Sequence, residues 1–159
     1  MVNHSRRALF RGSFKPEAQP VRPPWAHVDF LELCSRCDDC IKACEEGILI
    51  REDSGYPMVD FTRGGCNWCQ DCVNSCQTGA LNVELGHKWQ SVAHISGQCL
   101  SANGIVCRAC GDACDKNALL FKLQVGGRAI ASINTSSCDG CGFCVAVCPE
   151  QAIELKEAT

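Results

Sequence analysis

The residues of this sequence best suited to do chemistry are cysteines at a regular spacing. Cys138, Cys141, Cys144 and Cys148 follow one another as CxxCxxCxxxC, and Pro149 comes directly after the last of them. Two residues between successive cysteines let one tight loop turn three thiolates toward a single point. This spacing is typical of the ligands of cubane [4Fe–4S] clusters, which store and pass on single electrons.

The other twelve cysteines repeat the same pattern along the chain. The first group is Cys34, Cys37, Cys40 and Cys44, the second is Cys66, Cys69, Cys72 and Cys76, and the third is Cys99, Cys107, Cys110 and Cys114. The third group is irregular, because its first gap is stretched to seven residues. The terminal cysteines of successive groups lie 32, 38 and 34 residues apart, a period that indicates repeated supersecondary units. We expect all sixteen cysteines to bind four [4Fe–4S] clusters.

The spacing leaves open which thiolates share a cluster. In two-cluster ferredoxins the fourth cysteine of each run ligates the other cluster. If neighbouring groups pair in this way, the ligand sets are Cys34, Cys37, Cys40 with Cys76; Cys66, Cys69, Cys72 with Cys44; Cys99, Cys107, Cys110 with Cys148; and Cys138, Cys141, Cys144 with Cys114. Some larger iron–sulfur subunits instead pair the first group with the last and the second with the third. A free Cys99 thiol beside a three-iron cluster is a further alternative.

Two other uses of cysteine fit the sequence less well. With 16 cysteines in 159 residues, composition alone would suggest a secreted disulfide scaffold. Ser5, Arg6 and Arg7 superficially resemble a twin-arginine export signal, but the apolar run that such a signal needs does not follow. Zinc sites usually combine two separate CxxC pairs, and the four histidines stand outside the cysteine groups. We therefore expect a cytoplasmic protein without a membrane span, whose cysteines bind iron.

The residues around the cysteines predict an α+β fold of two tandem bacterial-ferredoxin-like modules, with short strand pairs and short helices around the clusters. Apolar pairs begin at Ile48, Ala80, Ala118 and Ala152, a few residues after each terminal cysteine, and predict short strands. Two more strands are predicted over 58–61 and 129–133. Gly47, Gly79 and Asn117, but not Gln151, are residue types that tolerate a left-handed turn before these strands. The expected boundaries are an arm over 1–27, a module over 28–85, a connector over 86–94 that is either a helix or a strand, and a module over 95–159.

The arm differs from the body in charge. Residues 1–27 hold five basic residues and one acidic residue, a net charge of +4. The whole chain carries −3, which falls to about −11 when sixteen thiolates and four oxidised cluster cores are included. Such a charge argues against nucleic acid as a partner. By composition the arm is either a solvated, disordered tail or a segment whose Phe10, Phe14 and Trp25 dock on a partner or on the body of the protein. Its candidate partner-binding residues are Arg6, Arg7, Arg11 and Trp25.

Together, several of these motifs resemble the NapF family, the ferredoxin-type accessory proteins of bacterial periplasmic nitrate reductase systems. They are Ser5-Arg6-Arg7 with Phe10-Arg11-Gly12, Arg22-Pro23-Pro24-Trp25, and the four cysteine groups with their stretched third member. The resemblance implies binding to the catalytic subunit of nitrate reductase in its precursor form, and help in its maturation before export. The alternative function is an electron-transfer subunit with membrane-linked redox partners. No nucleotide-binding loop or catalytic dyad is evident, so we expect no catalytic site.

Overall fold

A computed structural model describes residues 20–84, 89–125 and 129–157. Arg6, Arg7 and Arg11 lie outside these ranges. The first half of the chain, residues 20–84, contains helices α1 (Phe30–Leu33), α2 (Asp39–Ala43) and α3 (Asp71–Asn74), with strands β1 (Leu49–Arg51) and β2 (Pro57–Val59) between α2 and α3. The second half, residues 89–157, contains β3 (Ser91–Ile95), α4 (Ala109–Asp112), β4 (Leu119–Leu123), β5 (Ala129–Ile133), α5 (Phe143–Ala146) and β6 (Ile153–Glu157).

The strands form three antiparallel pairs. Leu49 of β1 lies opposite Val59 of β2, and Leu119 of β4 lies opposite Ile133 of β5. β3 pairs with β6 over their full lengths, from Ser91 opposite Glu157 to Ile95 opposite Ile153. The expectation of short helices and strand pairs is confirmed. In the predicted connector, the described residues 89–94 contain most of strand β3, and no helix.

The N-terminal segment, residues 20–27, packs into the first half. Ala26 forms an isolated antiparallel bridge with Leu81, and the carbonyl of Val21 accepts a 2.8 Å bond from the N–H of Val59. Arg22 donates to the carboxylate of Glu52 at 2.8 Å. The proline content predicts an extended conformation here. The structure shows instead a turn at Pro24 and Trp25, where Trp25 has φ 59°, and the segment lies against the body.

The apolar core consists of two small clusters of side chains. The first includes the buried residues Trp25, Phe30, Ile48, Leu49 and Leu81. The second is built from smaller residues, including Ala93, Ala118, Leu119 and Ile153. Cysteines belong to both clusters, so the hydrophobic core and the thiols occupy the same space. Among the described residues, no helix has the length and apolar character required to cross a membrane.

Candidate iron–sulfur sites

The structure gathers the sixteen free thiols around four cavities, with four cysteines lining each. We call these groupings set 1 (Cys34, Cys37, Cys40 and Cys76), set 2 (Cys44, Cys66, Cys69 and Cys72), set 3 (Cys99, Cys107, Cys110 and Cys148) and set 4 (Cys114, Cys138, Cys141 and Cys144). Each cavity encloses about 300 to 370 Å³, including its solvent-open mouth. This is the grouping expected if neighbouring groups exchange their terminal cysteine.

In every group the third cysteine lies on a short helix. Cys40 is on α2, Cys72 on α3, Cys110 on α4 and Cys144 on α5. The last three are buried, whereas Cys37 and Cys69, the second cysteines of their groups, are exposed. The helix ends just before the terminal cysteine, which therefore turns away from the first three and lines the other cavity of the same half.

The loops that carry the first three cysteines of groups one, two and four share an unusual backbone. The residues just before the second cysteine and just after it have positive φ, at Arg36 and Asp38, Trp68 and Gln70, and Gly140 and Gly142. Non-glycine residues rarely adopt this conformation. Such left-handed turns point successive N–H groups into a concave nest, which suits an anion such as a phosphate or an iron–sulfur cluster. The third group departs from this pattern, since Arg108 has φ −137°.

A second turn directs main-chain N–H groups at the terminal sulfurs. Three residues after the terminal cysteines, Gly47, Gly79, Asn117 and Gln151 all have positive φ, between 49° and 73°. The N–H of Ala118 then lies 3.3 Å from Cys114 Sγ, and that of Ala152 lies 3.2 Å from Cys148 Sγ. In the second group, Leu81 donates to Cys76 Sγ at 3.4 Å. Such bonds stabilise a thiolate over a thiol.

Several thiols are costly to ionise in this arrangement without a metal. Burial, followed by the nearby cysteines, raises the pKa of Cys72 and Cys144 to about 12. Burial also raises the pKa of Cys40 and Cys66 to about 11. A coordinated metal deprotonates its thiol ligands, so a positively charged core within each set would offset the crowding of its thiolates.

The grouping of the thiols bears on whether each set would bind a single ion or a cluster. Four thiolates around one zinc would lie about 3.8 Å apart, given a Zn–S distance of about 2.3 Å. Within 20–84, 89–125 and 129–157, no three His, Cys, Asp or Glu side chains converge closely enough for one metal ion. Sets of four thiols around a shared cavity instead fit a core of several irons, each bound by one cysteine. The donor chemistry, the spacing and the N–H nests therefore all suit [4Fe–4S] clusters.

The remaining candidate residues have varied positions. Trp25, a candidate partner-binding residue, is only 4% exposed, and its ring packs edge-on to Trp68 at 6.0 Å. Trp25 therefore docks on the body of the protein and is not exposed for contact with a partner, while the rest of the predicted arm, residues 1–19, lies outside the described residues. His27 accepts a hydrogen bond from the N–H of Asp29, and His94 lies 3.8 Å from Glu154. Neither histidine lines a thiol cavity.

Sequence reasoning missed the residues that join the two halves, chiefly Gly65, Phe61, Asp139 and Phe143. Gly65 directly precedes Cys66, and Phe143 lies between Cys141 and Cys144. Their proximity to cysteines was the available signal. The cysteine spacing could not predict that these residues contact each other, because the contacts join the second cysteine group to the fourth.

Sequence similarity to known proteins assigns this chain to a family. A family model described as a 4Fe-4S binding domain matches residues 130–153. The ferredoxin-type protein NapF of Haemophilus influenzae is 40% identical over 167 residues, covering 98% of this chain and 95% of that protein. The ferredoxin-type protein NapF of Escherichia coli is 35% identical over 157 residues, covering 98% and 96%. The ferredoxin-type protein NapG of Haemophilus influenzae is 30% identical over 171 residues, covering 92% of this chain and 59% of that protein. This chain belongs to the NapF family of ferredoxin-type iron–sulfur proteins.

Proposed function

We propose that the protein binds four [4Fe–4S] clusters, one in each of sets 1 to 4, through its sixteen cysteines, in two tandem ferredoxin-like modules. The observation that supports this most strongly is that each cavity is lined by four thiols, three from one group and one from its neighbour. A bound [4Fe–4S] cluster takes up and returns a single electron. The chain supplies the thiolates, the N–H donors and the partial exclusion of solvent.

Differences in hydrogen bonding and in exposure among the four sets would give their clusters different reduction potentials. Hydrogen bonds to sulfur and exposure to solvent both act on the potential of an iron–sulfur cluster. In set 4, main-chain N–H groups donate from Ala118 to Cys114 and from Ala93 to Cys138, the latter at 3.5 Å. Set 2 contains the exposed Cys69. The four clusters are therefore inequivalent in this proposal.

The partner we propose is the catalytic subunit of periplasmic nitrate reductase, bound as its precursor in the cytoplasm. The protein would assist the maturation of that subunit before export by supplying electrons or clusters. Membership of the NapF family supports this proposal. The basic Arg6, Arg7 and Arg11 would provide a recognition segment whose charge is opposite to that of the cluster-bearing body. The protein would have no catalytic site of its own.

A second candidate function is electron transfer toward nitrate reduction, with membrane-linked redox partners as donors. The exposure of Cys37 and Cys69 favours it, because an exposed ligand brings a cluster close to a docked partner. Both functions use the same four clusters. A maturation factor acts on the precursor of the catalytic subunit, whereas an electron-transfer subunit acts on the mature nitrate reductase.

Anaerobic affinity purification from cytosol distinguishes the two. Co-elution of the unexported catalytic subunit, together with no effect of the protein on mature nitrate reductase, is the result expected for a maturation factor. Acceleration of the mature enzyme by the added protein, with a physiological donor, would instead support the electron-transfer function. Recovery of neither the precursor nor a redox partner would count against both.

The recognition segment is tested with two double variants of equal charge change. We expect Arg6→Ala/Arg7→Ala to weaken capture of the precursor without loss of iron. Lys122→Ala/Lys156→Ala removes the same charge from exposed positions on β4 and β6, and it should bind as the wild type does. Equal binding by all three proteins would contradict the proposed role of the arginines.

A further inference from the structure

The two halves of the chain meet at the loops that carry the second and fourth cysteine groups. The N–H of Cys66 donates a 2.7 Å hydrogen bond to the carbonyl of Cys141. The indole N–H of Trp68 donates to the carboxylate of Asp139 at 3.2 Å. A main-chain hydrogen bond thus connects a cysteine of set 2 directly to a cysteine of set 4.

Glycine permits this close approach on both sides. A Cβ atom on Gly65 would lie 2.5 Å from the main-chain nitrogen of Phe143 and 2.5 Å from its ring. A Cβ atom on Gly142 would overlap the ring of Phe61. Any larger residue would force the loops apart, since real side chains do not tolerate such distances. We call this contact, made by Phe61, Gly65–Trp68 and Asp139–Phe143, the seam.

Three aromatic rings, those of Phe61, Trp68 and Trp89, pack together at the seam. Phe61 packs edge-on to Trp89 at 5.1 Å, and Trp89 packs against Trp68 at the same centroid distance. The indole N–H of Trp89 donates to the carbonyl of Arg22 at 2.8 Å. The N-terminal segment and the first residue of the second half are therefore both attached to the seam, which favours a fixed geometry.

Within each half, the short helices link the two sets. α2 carries Cys40 of set 1 and is followed by Cys44 of set 2, whereas α3 carries Cys72 of set 2 and is followed two residues later by Cys76 of set 1. α4 and α5 relate sets 3 and 4 in the same manner. Set 2 and set 4 are therefore the inner members of the arrangement, and sets 1 and 3 are the outer ones.

We infer that the seam holds the two inner sets close enough for electron exchange, so that the four clusters form one row in the order set 1, set 2, set 4, set 3. This inference rests on the proposed function, because it requires clusters in the sets. An electron that crosses the seam oxidises one inner site by one electron and reduces the other by one, and no bond is made or broken. The electron itself comes from an external one-electron reductant. The residues of the seam act as positioning residues for this exchange.

The test compares the wild type with two neighbouring glycine variants. In Gly65→Ala the new methyl group lies within the seam. In Gly64→Ala it meets only Ile48 and Glu46 of the first half, at 3.2 and 3.4 Å, so this variant is the matched control. All three proteins are reduced fully with dithionite, assayed for iron and sulfide, and examined as frozen solutions by electron paramagnetic resonance.

Dipolar coupling between reduced clusters falls with the cube of their separation. The pairs within each half are coupled in every one of these proteins, so the difference between Gly65→Ala and the wild type reports on the inner pair without any assay of activity. We expect Gly65→Ala to keep its iron but to show narrower lines and a severalfold lower half-saturation power than the wild type. Gly64→Ala should match the wild type. Superimposable spectra from all three fully loaded proteins would overturn the inference and leave the proposed function intact.

A second variant covers the case in which Gly65→Ala loses iron. Trp68→Phe removes the indole N–H that bonds to Asp139 and adds no atom to the seam. Weakened coupling at full iron content in this variant would support the inference, and unchanged coupling would overturn it. A wild-type protein that binds no iron–sulfur cluster would instead refute the proposed function, so the two failures are distinguishable.

Discussion

The two halves of this chain share one plan but are closed in different ways. In the second half, β3 and β6 pair along five residues each. The corresponding closure of the first half is the single bridge between Ala26 and Leu81, supported by the buried side chains of Pro23 and Trp25. The comparison teaches that the same cysteine framework is stabilised by side-chain packing in one half and by main-chain pairing in the other.

The cores of the two halves differ accordingly. Trp25 and Phe30 are each 4% exposed in the first half, whereas the second core is built around alanines, Leu119 and Ile153. Large apolar residues face solvent in both halves, including Val28 in the first and Val106 and Leu123 in the second. Since burial of apolar surface is the main favourable contribution to folding, we expect the stability of the second half, whose core residues are smaller, to depend more on the proposed clusters.

Iron removal should have the largest effect, and the two halves should respond to it differently. We expect anaerobic chelation to abolish most of the structure, because small domains with little core depend on bound metal. Hydrogen exchange should show complete loss of protection in β4 to β6 and partial retention near Trp25 and Leu81. Equal loss in both halves would contradict the proposed difference between them.

Substitution of a single cysteine ligand should have the next largest effect. Its size should differ between the regularly spaced fourth group and the stretched third group. Cys144→Ser should remove a whole cluster, about four irons of about sixteen, because this thiol is buried within set 4. Cys99→Ser should remove about one iron and leave a three-iron cluster, since the long loop adapts more readily. Iron analysis and electron paramagnetic resonance of the oxidised proteins distinguish these outcomes. Full iron content in Cys144→Ser would refute its assignment as a ligand.

A smaller effect is expected from the packing of the N-terminal segment. Trp25→Ala should destabilise the first half by about 3–5 kcal/mol, the usual cost of removing a buried large aromatic side chain. The temperature of cluster loss, measured at a fixed scan rate, should fall clearly. Val28→Ala, at a position 89% exposed, is the control, with an expected change within about 0.5 kcal/mol. Similar temperatures for both variants would show that the segment contributes little to stability.

The smallest effects concern the left-handed turns after the terminal cysteines. Gly79 has φ 73°, and a methyl group at its Cα would have no neighbouring atom within 4 Å. Gly79→Ala should therefore lower stability through backbone strain alone, by about 1 kcal/mol. Gln151→Gly should raise stability by a similar amount, because Gln151 already adopts φ 49°. Thermal cluster loss measures both. Shifts of the same sign in the two variants would contradict this explanation.

Local sequence features predicted much of the fold. The strands expected after the terminal cysteines appear as β1, β4 and β6, because the apolar residues Leu49, Leu119 and Ile153 at their starts are buried in the two core clusters. The strand expected from Ala80 is, within residues 20–84, a single isolated bridge from Leu81 to Ala26. The left-handed turns at Gly47, Gly79 and Asn117 are confirmed. Gln151 adopts the same turn although its residue type does not favour it, since the adjacent bond from Ala152 to Cys148 Sγ requires this backbone.

Two features could not be predicted from the sequence for physical reasons. Residues 20–27 have a composition that suits an exposed tail as well as a packed segment, and only the partners of Val21 and Ala26 distinguish the two. The seam joins Gly65 to Phe143, residues far apart in the chain and at different positions in their repeats. A periodic pattern constrains contacts within a repeat, and it carries no information on which loops of two repeats meet.

The most direct test of the central claim is the iron and acid-labile sulfide content of the anaerobically purified protein, measured per chain together with zinc. Four [4Fe–4S] clusters in sets 1 to 4 predict about sixteen iron atoms and about sixteen sulfides, with no zinc. Zinc in place of iron and sulfide, or full loading at only about eight of each, would contradict the account of four cluster sites.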